Sequence, residues 1–197
     1  MTKTKTILGI SLVATAIMLF ASPAIAEAVS GFSVVGITGD DEIHAVVVSS
    51  ETIEETGAYG YGIISSEGVG AILVTTTHAG ILDSAAQTDA SDASFHNHYV
   101  ALTIDEEDDK CPRAEIVDIT FDEPGSVTVI DNVAVISGPT EFESTHSLTG
   151  DEVEFKTEGN VAAIVSFTID PVDSDGVTIT TIDDLAAVCI NDVTSAS

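Results

Sequence analysis

The sequence predicts an all-β protein, an antiparallel two-sheet sandwich for which a Greek key is one arrangement, following an N-terminal signal peptide. Three observations predict it. Short runs of Val, Ile, Thr and Phe recur along the chain, separated by Gly, Asp, Asn, Pro and Ser. Long amphipathic helices are absent, and about a dozen strands at such spacing suit two packed sheets.

Taken in order, the strands are expected at Phe32–Ile37, Ile43–Ser49, Tyr59–Ser65, Ala71–Thr77 and Phe95–Ile104. Glu115–Phe121, Ser126–Ile130, Val133–Ser137, Thr140–His146 and Val153–Lys156 follow, then Val161–Ile169, Val177–Ile182 and Leu185–Ile190. Asp131-Asn132 between two β runs signals a tight hairpin. Gly39-Asp40-Asp41, Glu123-Pro124-Gly125, Gly138-Pro139 and Thr149-Gly150-Asp151 carry the residues that turns need. Glu51 to Thr56 suits a short helical turn. Gly80 to Ser94, rich in Ala, Asp and Ser, is the longest irregular stretch, and a loop of that length in a compact domain tends to be functional.

Residues 1–26 read as an export signal. Lys3 and Lys5 precede an apolar run from Ile7 to Phe20, and Ala24-Ile25-Ala26 supplies a small-x-small cleavage pattern after Pro23. The alternative is an uncleaved anchor, because Ile7 to Ala26 approaches the ~20 residues of a membrane span. Cleavage leaves residues 27–197 as a single β-sandwich domain, secreted or otherwise extracytoplasmic, with no further span. All 33 acidic residues lie in it, against Lys110, Arg113 and Lys156, for a net charge of 3 − 33 = −30. That field repels phosphate backbones and anionic lipid, which excludes nucleic-acid binding. Cys111 and Cys189 are the two cysteines, and an even count in an exported chain predicts a disulfide. On the chain-entropy model it contributes about 4 kcal/mol.

The chemistry-bearing clue is histidine. His96-Asn97-His98 opens a predicted strand, and period-two alternation puts His96 and His98 on one face with Val100, Leu102 and Ile104. Ile72, Val74, Thr76 and His78 likewise share a face. Nitrogens about 6–7 Å apart along a strand can converge on one ion, and a third histidine completes a triad typical of copper and zinc sites. The expected ligands are His78, His96 and His98, with Asp83, Asp89, Asp92 or His146 as a fourth ligand or outer partner. His44 reads as an ordinary histidine.

Beyond Ala26 there is no methionine, which rules out a copper centre with an axial Met. Phe95-His96-Asn97-His98, with one cysteine downstream and another near the end, resembles copper–zinc superoxide dismutase over those few residues alone. Val100-Ala101 stand where that family has Gly-Asp, so its properties are not carried over. No EF-type loop is complete, since Asp173-Ser174-Asp175-Gly176 lacks the flanking ligands. Weak calcium binding at Asp40-Asp41-Glu42 or Asp105–Asp109 is left open. Nucleophile elbows, phosphate-cradling glycine loops and dinucleotide fingerprints are missing. The sequence thus points to a secreted acidic protein binding copper or zinc. The alternative is a metal-free structural, adhesion or filament module of the cell envelope. No reaction is selected: a metal-dependent one would need an open coordination position.

Overall fold

A computed structural model describes residues 32–39, 41–66, 68–104, 110–157, 159–176 and 185–196. The leader, the expected strand Val177–Ile182 and the acidic run Asp105–Asp109 lie outside them, as does Asp40. Among the described residues there are twelve strands: β1 (Ser33–Thr38), β2 (Glu42–Val48), β3 (Tyr59–Ser65), β4 (Gly68–Thr77), β5 (His96–Thr103) and β6 (Ala114–Ile119). Then come β7 (Ser126–Ile130), β8 (Val133–Pro139), β9 (Glu141–Thr145), β10 (Glu152–Lys156), β11 (Val161–Val172) and β12 (Ala187–Ser195). The Asp131-Asn132 hairpin forms between β7 and β8, with Asp131 at φ 53°. Residues 51–56, expected as a helical turn, are irregular.

The all-β class holds, but the architecture is not a two-sheet sandwich. Six strands close into a barrel in the order β11-β12-β6-β5-β4-β3. A four-stranded antiparallel sheet, β1-β2-β8-β7, and a β9–β10 hairpin complete the described part of the chain. Closure comes from β11, whose Ile164 and Val165 pair with Ile63 and Gly62 of β3 while Ile169 and Asp170 pair with Ile190 and Cys189 of β12. Register shifts in the ladders at Ile64/Ser65, Ala101/Leu102, Val161/Ala163 and Ser166/Thr168 supply the bends a closed sheet requires.

Glycines set the shape of one wall. In Tyr59-Gly60-Tyr61-Gly62-Ile63-Ile64, one face of β3 carries Tyr59, Tyr61 and Ile63, which pack outside the barrel. The other carries Gly60, Gly62 and Ile64. A Cβ on Gly60 would sit 2.3 Å from the Thr75 carbonyl oxygen and 3.1 Å from the Phe167 ring, so β3 approaches its neighbours as only glycine allows.

Two large apolar cores result, beside a small buried cluster of Cys111, Val172, Ala187 and Cys189. One, containing Ile43, Val47, Tyr61, Leu73, Tyr99, Ile136 and Phe155, lies between the barrel's outer face, the four-stranded sheet and the hairpin. Tyr99 stacks on Phe155 with ring centroids 5.6 Å apart. The other lines the inside of the barrel with Ile64, Ile72, Val74, Val100, Ile119, Val165 and Phe167. The first five residues of β5, His96 to Val100, are therefore buried on both faces. His96 and His98 share the face that turns inward with Val100, while Asn97 on the opposite face donates to the carbonyls of Pro124 (3.2 Å) and Ser137 (3.1 Å).

The barrel's weakest seam joins β6 to β12. Among the described residues it pairs only Cys189 with Glu115 and Ile190 with Ala114. The Cys111–Cys189 disulfide crosses this seam, joining residues 78 apart in sequence.

Candidate metal centre

Three histidines and one aspartate meet at one end of the barrel. His78 follows the last residue of β4, and His96 and His98 open β5, whose Thr76↔His96 and Val74↔His98 pairs align the two strands. Asp83 comes from residues 78–95, which connect β4 to β5 and bring this carboxylate to the three imidazoles. All four side chains are buried, and one ligand atom from each lies within 4.8 Å of every other.

The separations suit one small ion. His78 Nε2 is 3.2 Å from His96 Nε2 and 3.2 Å from Asp83 Oδ2. Asp83 Oδ1 is 3.5 Å from His96 Nε2 and 3.8 Å from His98 Nε2. Bonds of ~2.0–2.1 Å to a tetrahedral ion place donor atoms roughly 3.3 Å apart.

Backbone carbonyls fix which nitrogens face the centre. His96 donates from Nδ1 to the Ser94 carbonyl at 2.8 Å, and His98 from Nδ1 to the Thr120 carbonyl at 2.7 Å. With Nδ1 protonated, each neutral ring presents its Nε2 lone pair inward, as metal-binding histidines do. Two buried atoms there, His98 Nε2 and Asp83 Oδ1, find no hydrogen-bond partner. Leaving such atoms unsatisfied costs about 1–3 kcal/mol each, and one cation between them would satisfy both.

The electrostatics agree. Burial works against the charge on Asp83, but the imidazoles of His98, His78 and His96 outweigh it and hold the carboxyl well below the usual range. Burial pushes His98 down to about 4 despite the attraction of Asp83, so its lone pair is free at neutral pH. His96 is raised, burial being outweighed by its contacts with Asp83 and the Ser94 carbonyl. An ion binding here displaces protons.

The remaining candidates are elsewhere. Asp89 is exposed and Asp92 half-buried, and both spend their oxygens bracing the connection: Asp89 accepts from Ser91, and Asp92 from Thr88 and Ser94. Asp92 thus steadies the residue whose carbonyl orients His96. His146 Nδ1 accepts from the amides of Leu148 (3.1 Å) and Thr149 (3.3 Å), capping a turn apart from the cluster. His44 is exposed on β2 beside Glu42.

Sequence reading missed the residues that hold the connection in place. Buried Gln87 accepts from the amides of Asp83 (3.0 Å) and Ser84 (3.2 Å), and donates to the carbonyls of Ile81 (3.3 Å) and Asp92 (3.0 Å). The Ser147 hydroxyl lies 2.7 Å from the Asp83 carbonyl and 2.8 Å from that of Thr120, the partner of His98. No sequence motif marks such side chains, because they act on backbone groups. No family model, curated protein or solved structure matches this chain.

Proposed function

We propose that this chain is a secreted metal-binding protein holding one zinc or copper ion through His78, His96, His98 and Asp83. The observation that carries this reading is the pair of buried, unpartnered atoms, His98 Nε2 and Asp83 Oδ1, facing each other across a pocket lined by two further imidazole nitrogens. Three imidazoles and a carboxylate, with no sulfur, make a donor set suited to zinc or copper(II) and poor for copper(I). The near-tetrahedral separations favour zinc. Four protein ligands fill a tetrahedron, so the role is retention of the ion; catalysis would require Asp83 to yield its place or the metal to expand its coordination. Secretion is supported by the leader-like residues 1–26 and by the Cys111–Cys189 disulfide, which belongs to oxidising compartments.

Elemental analysis of protein purified without chelators, beside a His96→Ala/His98→Ala double variant, tests the reading. Near-stoichiometric zinc or copper in the parent and none in the variant is the expected result. If both remain empty after metal is offered, the site reading fails and the metal-free envelope module takes its place.

A further inference from the structure

The inside of the barrel is not filled by its own side chains. A cavity of about 510 Å³ runs through it, bounded by inward residues of all six strands, among them Gly62, Val74, Val100, Ile116 and Phe167. Pockets of ~300–1,000 Å³ are the size that holds small organic ligands. The space exists partly because β3 presents Gly62 where a larger residue would otherwise stand. A Cβ added there meets Phe167 and Val165 at 3.4 Å and Ile72 at 3.5 Å, so glycine is not sterically required at that position.

Among the described residues, the cavity wall is least bonded at one place. Residues 185–188 lie opposite the second half of β6, beyond the two pairs of the seam, and no ladder joins them among the described residues. Both sides of this gap line the cavity, through Ile116 and Val117 on one side and Leu185 and Val188 on the other. Leu148 also lines it, and Val117 and Leu148 are 45 % and 42 % exposed, marking where the interior meets solvent. His78, Asp83 and His98 border the same space.

We propose that the barrel binds a small, uncharged apolar molecule in this cavity, entering through the gap between β6 and residues 185–188. The class of ligand follows from the lining. It is dominated by Val, Ile, Leu, Ala and Phe, and among the described residues it includes no lysine or arginine to pair with a carboxylate or phosphate. Glu115 and Asp83 are the acidic groups among the described lining residues, and the surface is heavily acidic, so an anion is repelled on approach and, in metal-stripped protein, meets no fixed cation inside. An alcohol, ketone or hydrocarbon with a medium-length chain or ring system fits that chemistry. Most of the lining lies outside the metal cluster, so this site stands with or without the ion.

The test is fluorescence titration of metal-stripped protein with the neutral dye N-phenyl-1-naphthylamine, with dodecanol and dodecanoate as competitors. Saturable binding near one dye per chain is expected, displaced by dodecanol at least tenfold more effectively than by dodecanoate. Gly62→Leu or Ala114→Leu, each filling one wall, should weaken dye binding at least tenfold in whichever variant keeps the parent's circular dichroism. Val35→Ser/Val135→Ser, on the exposed face of the four-stranded sheet, should leave binding unchanged. Absence of saturable binding overturns the proposal, as does equal displacement by dodecanoate. So does full binding by a folded cavity-filled variant, or loss that follows the Val35/Val135 change. Elemental analysis of unstripped protein reports on the ion separately, so either reading can fail alone.

Discussion

Gln87 makes four hydrogen bonds from one buried amide, and two of them hold the backbone on which Asp83 sits. It touches none of the imidazoles, yet Gln87→Ala frees the amides of Asp83 and Ser84 and lets the carboxylate drift. Metal affinity is predicted to fall 10–100-fold, the usual effect of losing an outer support, as read by competition with a chromophoric chelator. Gln87→Glu keeps the acceptor for both amides and should recover part of the loss. Residue-level legibility was uneven for a clear reason. The shared faces of His96 with His98, and of Thr76 with His78, follow from strand alternation, and the structure brings those three rings together. Asp83, Asp89 and Asp92 are indistinguishable by type and spacing, and only the folded connection separates them. Ser94, Thr120 and Ser147 contribute mainly through carbonyls or to carbonyls, which any residue type can offer.

At the scale of elements, β3 shows how one strand serves two layers. Its Tyr59, Tyr61 and Ile63 feed the outer core, while on the inner face Gly60 lets β4 and Phe167 approach closely and Gly62 lines the cavity. Gly60→Ala places a Cβ against the Thr75 carbonyl and Thr76 side chain, so β3 and β4 must separate locally. A loss of about 1–3 kcal/mol is predicted, measured as a lower urea midpoint with an unchanged slope. Most strand positions were legible from alternation and turn residues, including the β7–β8 hairpin. The barrel was not, because a sandwich and a barrel impose the same period of two on each strand. What separates them is which strands pair: β11 must join β3, about a hundred residues earlier in the chain, as well as β12. Spacing along the sequence carries no record of that choice. Nor did alternation show that the Asn97–Tyr99 face of β5 would be as deeply buried as the histidine face.

For the molecule as a whole, the disulfide takes the place of a longer ladder. Among the described residues the β6–β12 seam has two residue pairs, and Cys189 belongs to one of them. A Cys111→Ser/Cys189→Ser variant is predicted to lose about 4 kcal/mol, the entropy of freeing a loop of that size, as measured by denaturant unfolding. An unchanged midpoint would mean that the seam is held by other contacts. The disulfide and the two pairs sit together at one end of the seam, so its fastening is lopsided: tied beside Cys111 and Cys189, and without ladder bonds between residues 116–119 and 185–188 among the described residues. Oxidation therefore secures the barrel where its ladder is shortest, so a reducing medium would weaken the closure of the wall before it touched either core.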